Sequence, residues 1–294
     1  MIYILIILFL IGILVFIDGI LECKRFRVKK YTIKSEKINN EVRIVMFADL
    51  HNVFYDEKNS KLERTIRSLN PDIILLPGDM LVCRHEKIAD GYKTLEFLNR
   101  ISCIAPVYYS YGNHEKGISE PDDERFDVDE IRDFNIFWKD YTNKLSSNIH
   151  LMKNEQDIIT INNSKLLIFG YDIPRAYYKR MTEAVLRDAD IEYIDSNSSK
   201  DCYNIMLAHN PDFFDYYSKT GFDLVLSGHN HGGMLKIPFW RGFISPRLNI
   251  FPKYSYGLYD KSGTKMLLTG GLGIHTFKFR INNVPELVFI KLQK

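Results

Sequence analysis

IVMFADLHNVFYDEKNSKLERTIRSLNPDIILLPGD, residues 44–79, carries the architecture of this chain in miniature. It opens on the apolar run Ile44-Val45-Met46-Phe47 and closes on Ile73-Ile74-Leu75-Leu76. Between them, residues 57–69 place Leu62, Ile66 and Leu69 at helical spacing. A short, unbroken apolar run reads as a strand covered on both faces, and two such runs around a helix make a βαβ unit. Each run ends in a polar block, Asp49-Leu50-His51 after the first and Gly78-Asp79 after the second.

The alternation continues along the chain. A helix is expected over 88–100, through Ile88, Tyr92, Leu95 and Leu98, and then a strand, Val107-Tyr108-Tyr109, runs into Gly112-Asn113-His114-Glu115. Residues 115–150 begin acidic and then set Phe134, Phe137, Trp138, Tyr141 and Leu145 at helical spacing, which predicts core packing. Leu166 to Phe169 reads as a strand and residues 175–190 as a polar helix. Ile205-Met206-Leu207 leads to His209, and Leu224-Val225-Leu226 leads to Gly228-His229-Asn230-His231. Short strands follow at 255–259, 266–269 and 286–292, while residues 26–40 suggest a first strand or a linker. The expected class is α/β, with two mixed sheets and helices outside them.

The first residues are of another kind. Met1 to Ile17 contains no charge, and Gly19-Ile20-Leu21 extends the run past Asp18 to Glu22. That length suits a transmembrane helix, and the segment lacks the polar face of a core helix. A cleaved signal peptide would show a basic residue before the run and a small-x-small site after it. We therefore expect an anchor over 1–22, a basic juxtamembrane segment or linker over 23–41, and one large domain over 42–294. Lys24, Arg25, Arg27, Lys29 and Lys30 follow the segment, so the positive-inside rule puts the domain in the cytoplasm. The same cluster could instead rest on anionic headgroups. A net charge of +2, without a long basic stretch interleaved with aromatics, disfavours nucleic acid as a partner. Cys23, Cys83, Cys103 and Cys202 form no CxxC pair and read as free thiols.

The polar blocks supply carboxylate, imidazole and amide donors, which suit divalent metals. Asp49 and His51 are two residues apart, so on an extended strand end both would leave one face as a chelating pair. Asp79 follows a glycine, where a tight turn can set its two oxygens between two metals. Asn113 adds an amide oxygen, and His229 and His231 repeat the two-residue spacing among glycines, the strongest single signal in the chain. His209 alone would more often be structural, but it stands in order with the rest. Paired metals suit phosphoester hydrolysis, because they lower the pKa of a shared water and stabilise charge developing on the phosphoryl oxygens. Three consecutive residues rarely face one metal, which frees His114 to meet substrate and donate a proton to the leaving oxygen. Glu115 is expected to orient it. Arg84 and His85, on the loop after Asp79, and His275 and Arg280, near Gly271 to Gly273, are weaker candidates for substrate contact.

Taken together, residues 42–292 resemble the calcineurin-like metallophosphoesterase superfamily, and within it the membrane-anchored bacterial phosphodiesterases. The resemblance implies an αββα sandwich. It also implies that one metal takes Asp49, His51, Asp79 and His231, and the other Asp79, Asn113, His209 and His229, with Asp79 bridging. His114 matches the histidine that assists the leaving group, and the metals of such enzymes are commonly manganese, iron or zinc. Asn230 replaces a usual threonine and Met234 a frequent glutamine. The implied function is hydrolysis of a phosphodiester or pyrophosphate, with a lipid-linked substrate of the UDP-2,3-diacylglucosamine type suggested by membrane members. The alternatives are a phosphoprotein or phosphomonoester phosphatase, and a non-catalytic scaffold. Scaffold relatives tend to lose ligands, and this chain keeps them all.

Overall fold

A computed structural model of the protein describes residues 1–178, 185–233, 252–274 and 279–294, with the backbone alone of 235–236 and 242–244. His275, Met234 and part of the expected 175–190 helix lie outside the described residues.

Two six-stranded mixed sheets form the centre. In spatial order the first contains β1 (Arg27–Lys34), β14 (Glu286–Gln293), β2 (Val42–Met46), β3 (Ile73–Pro77), β4 (Val107–Ser110) and β5 (Ile149–Met152). The second contains β12 (Gly257–Lys261), β13 (Thr264–Leu268), β9 (Leu224–Ser227), β8 (Tyr203–Ala208), β7 (Ser164–Tyr171) and β6 (Glu155–Ile161). A small hairpin joins β10 (Leu235–Lys236) to β11 (Gly242–Ile244).

Successive residues of a strand face opposite sides, and in the central strands β2, β3, β8 and β9 both sides are covered. Ile44 and Met46 enter the layer between the sheets, where they meet Leu166, Ile168, Ile205 and Leu224. Val45 and Phe47 face outward to Leu62 and Ile66 of α2 (Ser60–Leu69) and to Phe97 and Leu98 of α3 (Ile88–Ser102). Behind α4 (Asn113–Ser119), α5 (Val128–Asn143) buries Phe134, Phe137 and Tyr141 in the same core, with Trp138 and Leu145 packed against it, as their spacing predicts. The outer face of the second sheet, Leu167, Phe169 and Val225, is covered by Ile194 of α6 (Asp188–Ser196) and by Phe214 and Tyr217 of α7 (Phe214–Tyr217). The result is helix, sheet, sheet, helix.

Of the two readings of residues 26–40, the strand holds: β1 pairs in parallel with β14 along its whole length. Among the described residues of the expected 175–190 helix, Arg175–Tyr178 form a 3-10 turn, 185–187 are not helical, and a helix starts at Asp188. The polar composition of this stretch carried no apolar stripe that could have fixed its limits.

The N-terminal segment forms α1 (Ile2–Glu22), 21 residues long. At 1.5 Å per residue it spans roughly 30 Å, the thickness of a hydrocarbon core. Its large apolar side chains from Ile2 to Ile17 are exposed, whereas Gly19 and Glu22 in the last turn, and Cys23 just after it, are buried.

Candidate metal centre

Strands β2, β3, β4, β8 and β9 all deliver their carboxyl ends to one edge, the usual place for a ligand site in such sheets. Asp49 and His51 follow β2, Asp79 follows β3, Asn113 and His114 follow β4, His209 follows β8, and His229 and His231 follow β9.

The backbone that presents them is not extended. Asp49 (φ 52°), His51 (φ 50°), Asp79 (φ 57°), His229 (φ 70°) and His231 (φ 47°) all occupy the left-handed region. Asp, Asn and His tolerate that region better than most residues, but it stores strain that a packed surround must hold. The chelate expected from strand pleating therefore arises otherwise, from sharp turns beyond the strand ends. Hydrogen bonds lock those turns together: Asp49 N–H donates to the Gly78 carbonyl (3.1 Å), His51 N–H to the Asp79 carbonyl (3.2 Å), and His229 N–H to the Asp49 carboxylate (3.0 Å).

Among the described residues the donors converge in three overlapping groups: Asp49, His51 and His231; His51, Asp79 and His114; and Asp79, His209 and His229. In the first, the Nε2 atoms of His51 and His231 lie 3.0 Å apart, and Asp49 Oδ1 is 3.8 Å and 3.6 Å from them. Asp79 belongs to the last two. Its Oδ1 accepts from His114 N–H (2.8 Å), and its Oδ2 lies 3.1 Å from His209 Nε2 and 3.9 Å from His51 Nε2. Burial alone would raise the Asp79 carboxyl, but His209, His114 and His51 outweigh it and hold the group well below the usual range.

A pair of divalent cations fits these residues. Among the described residues nothing donates to the buried Asn113 Oδ1, and an unmatched buried acceptor is costly unless a ligand satisfies it. The Nδ1 of His209 meets the Pro77 carbonyl at 2.8 Å, which turns Nε2 towards Asp79. Such an outer bond is how ligating imidazoles are commonly oriented. Two electron-rich atoms this close need positive charge between them. A proton is one answer: burial lowers the His209 pKa, but Asp79 and then Asp49 lift it to about 9. A divalent cation is the other, and it displaces that proton.

Glu115 does not do what was expected of it. Its Oε1 accepts from Leu81 N–H (3.0 Å) and Tyr109 O–H (2.5 Å), and its Oε2 from Asp79 N–H (2.8 Å) and Gly112 N–H (2.9 Å). At the third position of α4 its side chain reaches back to the N-cap, which points it under the Asp79 turn rather than towards His114. The His114 ring is held instead by Cys83 N–H, which donates to Nδ1 (2.9 Å).

The weaker candidates separate. Arg84 lines a cleft of about 650 Å³ together with His51 and His114. His85 turns elsewhere, pairing with Asp133 of α5 (2.8 Å) at a separate groove. Arg280 is buried, and its guanidinium donates to the carbonyls of Gly270 (2.8 Å), Asn283 (3.2 Å) and Gly273 (2.5 Å). It also lies 3.3 Å from His231 Nδ1, so it braces the site from behind rather than facing substrate. Tyr178 was not foreseen; its ring centroid lies 5.4 Å from that of His229. The signal was its position soon after β7, the next strand of the sheet that carries His209.

A model of the calcineurin-like phosphoesterase family matches residues 42–233. The chain belongs to that family. The calcineurin-like phosphoesterases are metal-dependent phosphoester hydrolases that use two divalent metals. The chain is 26% identical over 276 residues to the metallophosphoesterase Cj0846 of Campylobacter jejuni, covering 90% of this chain and 63% of that one. It is 24% identical over 278 residues to YkuE of Bacillus subtilis, covering 93% and 87%. It is 25% identical over 276 residues to the UDP-2,3-diacylglucosamine pyrophosphatase LpxG of Chlamydia muridarum, covering 85% and 83%. The match thus spans less than two thirds of the Campylobacter protein and more than four fifths of the other two.

Gly112 shows how tightly this family site is built. A Cβ there would meet Asp79 N at 2.6 Å and also strike the Asp79 carboxylate. Gly112→Ala is expected to displace Asp79 and lower bound metal, read by elemental analysis of the purified variant. Wild-type metal content with wild-type kcat would contradict this.

Proposed function

We propose that this protein is a membrane-anchored dimetal phosphoesterase that cleaves a phosphodiester or pyrophosphate bond in a lipid-linked substrate. The observation that carries the reading is the position of Asp79, one buried carboxylate that lies 3.1 Å from His209 Nε2 on one side and 3.9 Å from His51 Nε2 on the other. Asp49, His51, Asp79 and His231 would hold one cation, and Asp79, Asn113, His209 and His229 the other. When bound, the cations supply an activated water and neutralise charge on the phosphoryl oxygens. Residues 1–22 form the anchor and 42–294 the catalytic domain, which the basic residues after α1 place on the cytoplasmic face.

His114 meets the leaving oxygen. Because its Nδ1 accepts from Cys83 N–H, Nε2 is the nitrogen that carries a proton in this arrangement, and it donates a hydrogen bond that stabilises charge developing on the leaving oxygen. His114→Asn is expected to reduce kcat by about 10²–10³-fold while bound metal is retained. Equal losses of metal and activity would make His114 a ligand instead.

The pyrophosphatase name of the Chlamydia relative, together with α1 beside the cleft, supports a nucleotide-linked acylated sugar as substrate. Full-length protein loaded with manganese should hydrolyse UDP-2,3-diacylglucosamine and bis(4-nitrophenyl) phosphate faster than 4-nitrophenyl phosphate or a phosphopeptide. Preference for the last two would favour a phosphatase. Bound metal without turnover of any phosphoester would favour a scaffold.

A further inference from the structure

The last turn of α1 is seated on the residues that brace the metal centre. The Gly19 carbonyl accepts from Arg280 N–H (3.2 Å), and Glu22 Oε2 accepts from Asn283 N–H (2.9 Å). The rings of Phe16 and Phe279 stack with centroids 5.4 Å apart. Any side chain at Gly19 would strike Phe279 and come within 2.8 Å of the Arg280 carbonyl oxygen. From this seat the Asn283 amide donates to the carbonyls of His231 (2.7 Å) and Gly233 (2.5 Å). A flexible tether needs no such contacts. A carboxylate as buried as Glu22 is costly unless it is bonded. Removal of α1 would leave two backbone donors without these acceptors.

The same turn and the two residues after it form one side of the 650 Å³ cleft. Ile20, Cys23 and Lys24 line it together with His51 and His114 of the metal centre. Val53, Phe54, Val82 and Ile274 add apolar surface, and Arg84 and Lys87 add positive charge. An apolar surface continuous with α1 therefore runs to the His114 side of the site. An acyl chain that left a bilayer for a polar cleft would expose its methylenes to water; a wall continuous with the membrane helix removes that cost.

We propose that Ile20 in the last turn of α1 and Cys23 just after it are specificity-determining residues, against which the apolar part of an amphipathic phosphoester lies while its phosphate meets the metal centre. This rests on the phosphoesterase reading above and adds that selectivity for a lipid-bearing substrate resides partly in the membrane helix.

The test uses full-length, metal-loaded protein in detergent and two diesters that release the same phenolate, bis(4-nitrophenyl) phosphate and decyl 4-nitrophenyl phosphate. The readout is the ratio of kcat/KM for the decyl ester to that for the small ester. Ile20→Trp narrows the cleft, and Ile20→Ser strips the wall of apolar surface without adding bulk. Each should lower the ratio by about tenfold, mainly through KM for the decyl ester. Thermal melting identifies a misfolded variant, in which case the other one decides. A ratio within twofold of wild type, or equal losses on both esters in a folded variant, overturns the proposal. Wild-type protein that cleaves neither ester overturns the diester-cleaving reading itself.

Discussion

Asp79→Asn is expected to lower kcat/KM by at least about 10³-fold, equivalent to roughly 4 kcal/mol of transition-state stabilisation. The side chain keeps its size but loses its charge and one of its two oxygens. Asp79 Oδ2 lies 3.1 Å from His209 Nε2 and 3.9 Å from His51 Nε2, so neither cation's set of donors remains complete. Elemental analysis should find fewer than two metals per chain. The fold should survive, because the substitution is nearly isosteric and removes a buried charge. A folded variant with full metal content and kcat/KM within tenfold of wild type would sink the shared-carboxylate reading.

Glu115→Ala acts on stability. It strips the acceptor from Asp79 N–H, Leu81 N–H, Gly112 N–H and Tyr109 O–H at once. At about 1–3 kcal/mol for each buried group left unmatched, partial relaxation still leaves a loss of about 4 kcal/mol or more. Tm should fall by roughly 10 °C. Burial and the Asp79 charge push the Glu115 carboxyl upward, yet its four donors are matched to acceptor oxygens. Glu115→Gln, which turns one of those oxygens into a donor, should fall between wild type and Glu115→Ala. Were Glu115 mainly an orienter of His114, kcat would drop with Tm unchanged, and that outcome would refute the clamp.

Strand positions were legible because a strand covered on both faces must be apolar at every residue. Ile44 to Phe47, Ile73 to Leu76 and Leu224 to Leu226 could hardly be anything else. The neighbours of each strand were not legible. Nothing local places β14 between β1 and β2, since that pairing joins residues 286–293 to 27–34 and 42–46. Among candidate site residues, those in motifs came together at one edge, and the isolated ones did not behave alike. Arg84 lines the cleft, His85 pairs with α5, and Arg280 braces the site from behind. A lone polar residue on a loop carries no periodicity from which its partner could be read.

Local chemistry alone was enough for the alternation of buried strands and helices, the order of donor blocks at strand ends, and the apolar segment at the start. Those features depend on residue type and spacing over a few positions. The left-handed turns of Asp49, His51 and Asp79, the four bonds gathered by Glu115 and the seat of α1 on Arg280 and Asn283 belong to the folded molecule. Each depends on groups brought together from distant parts of the chain, where packing and the need to satisfy buried polar atoms, not local preference, select the partner.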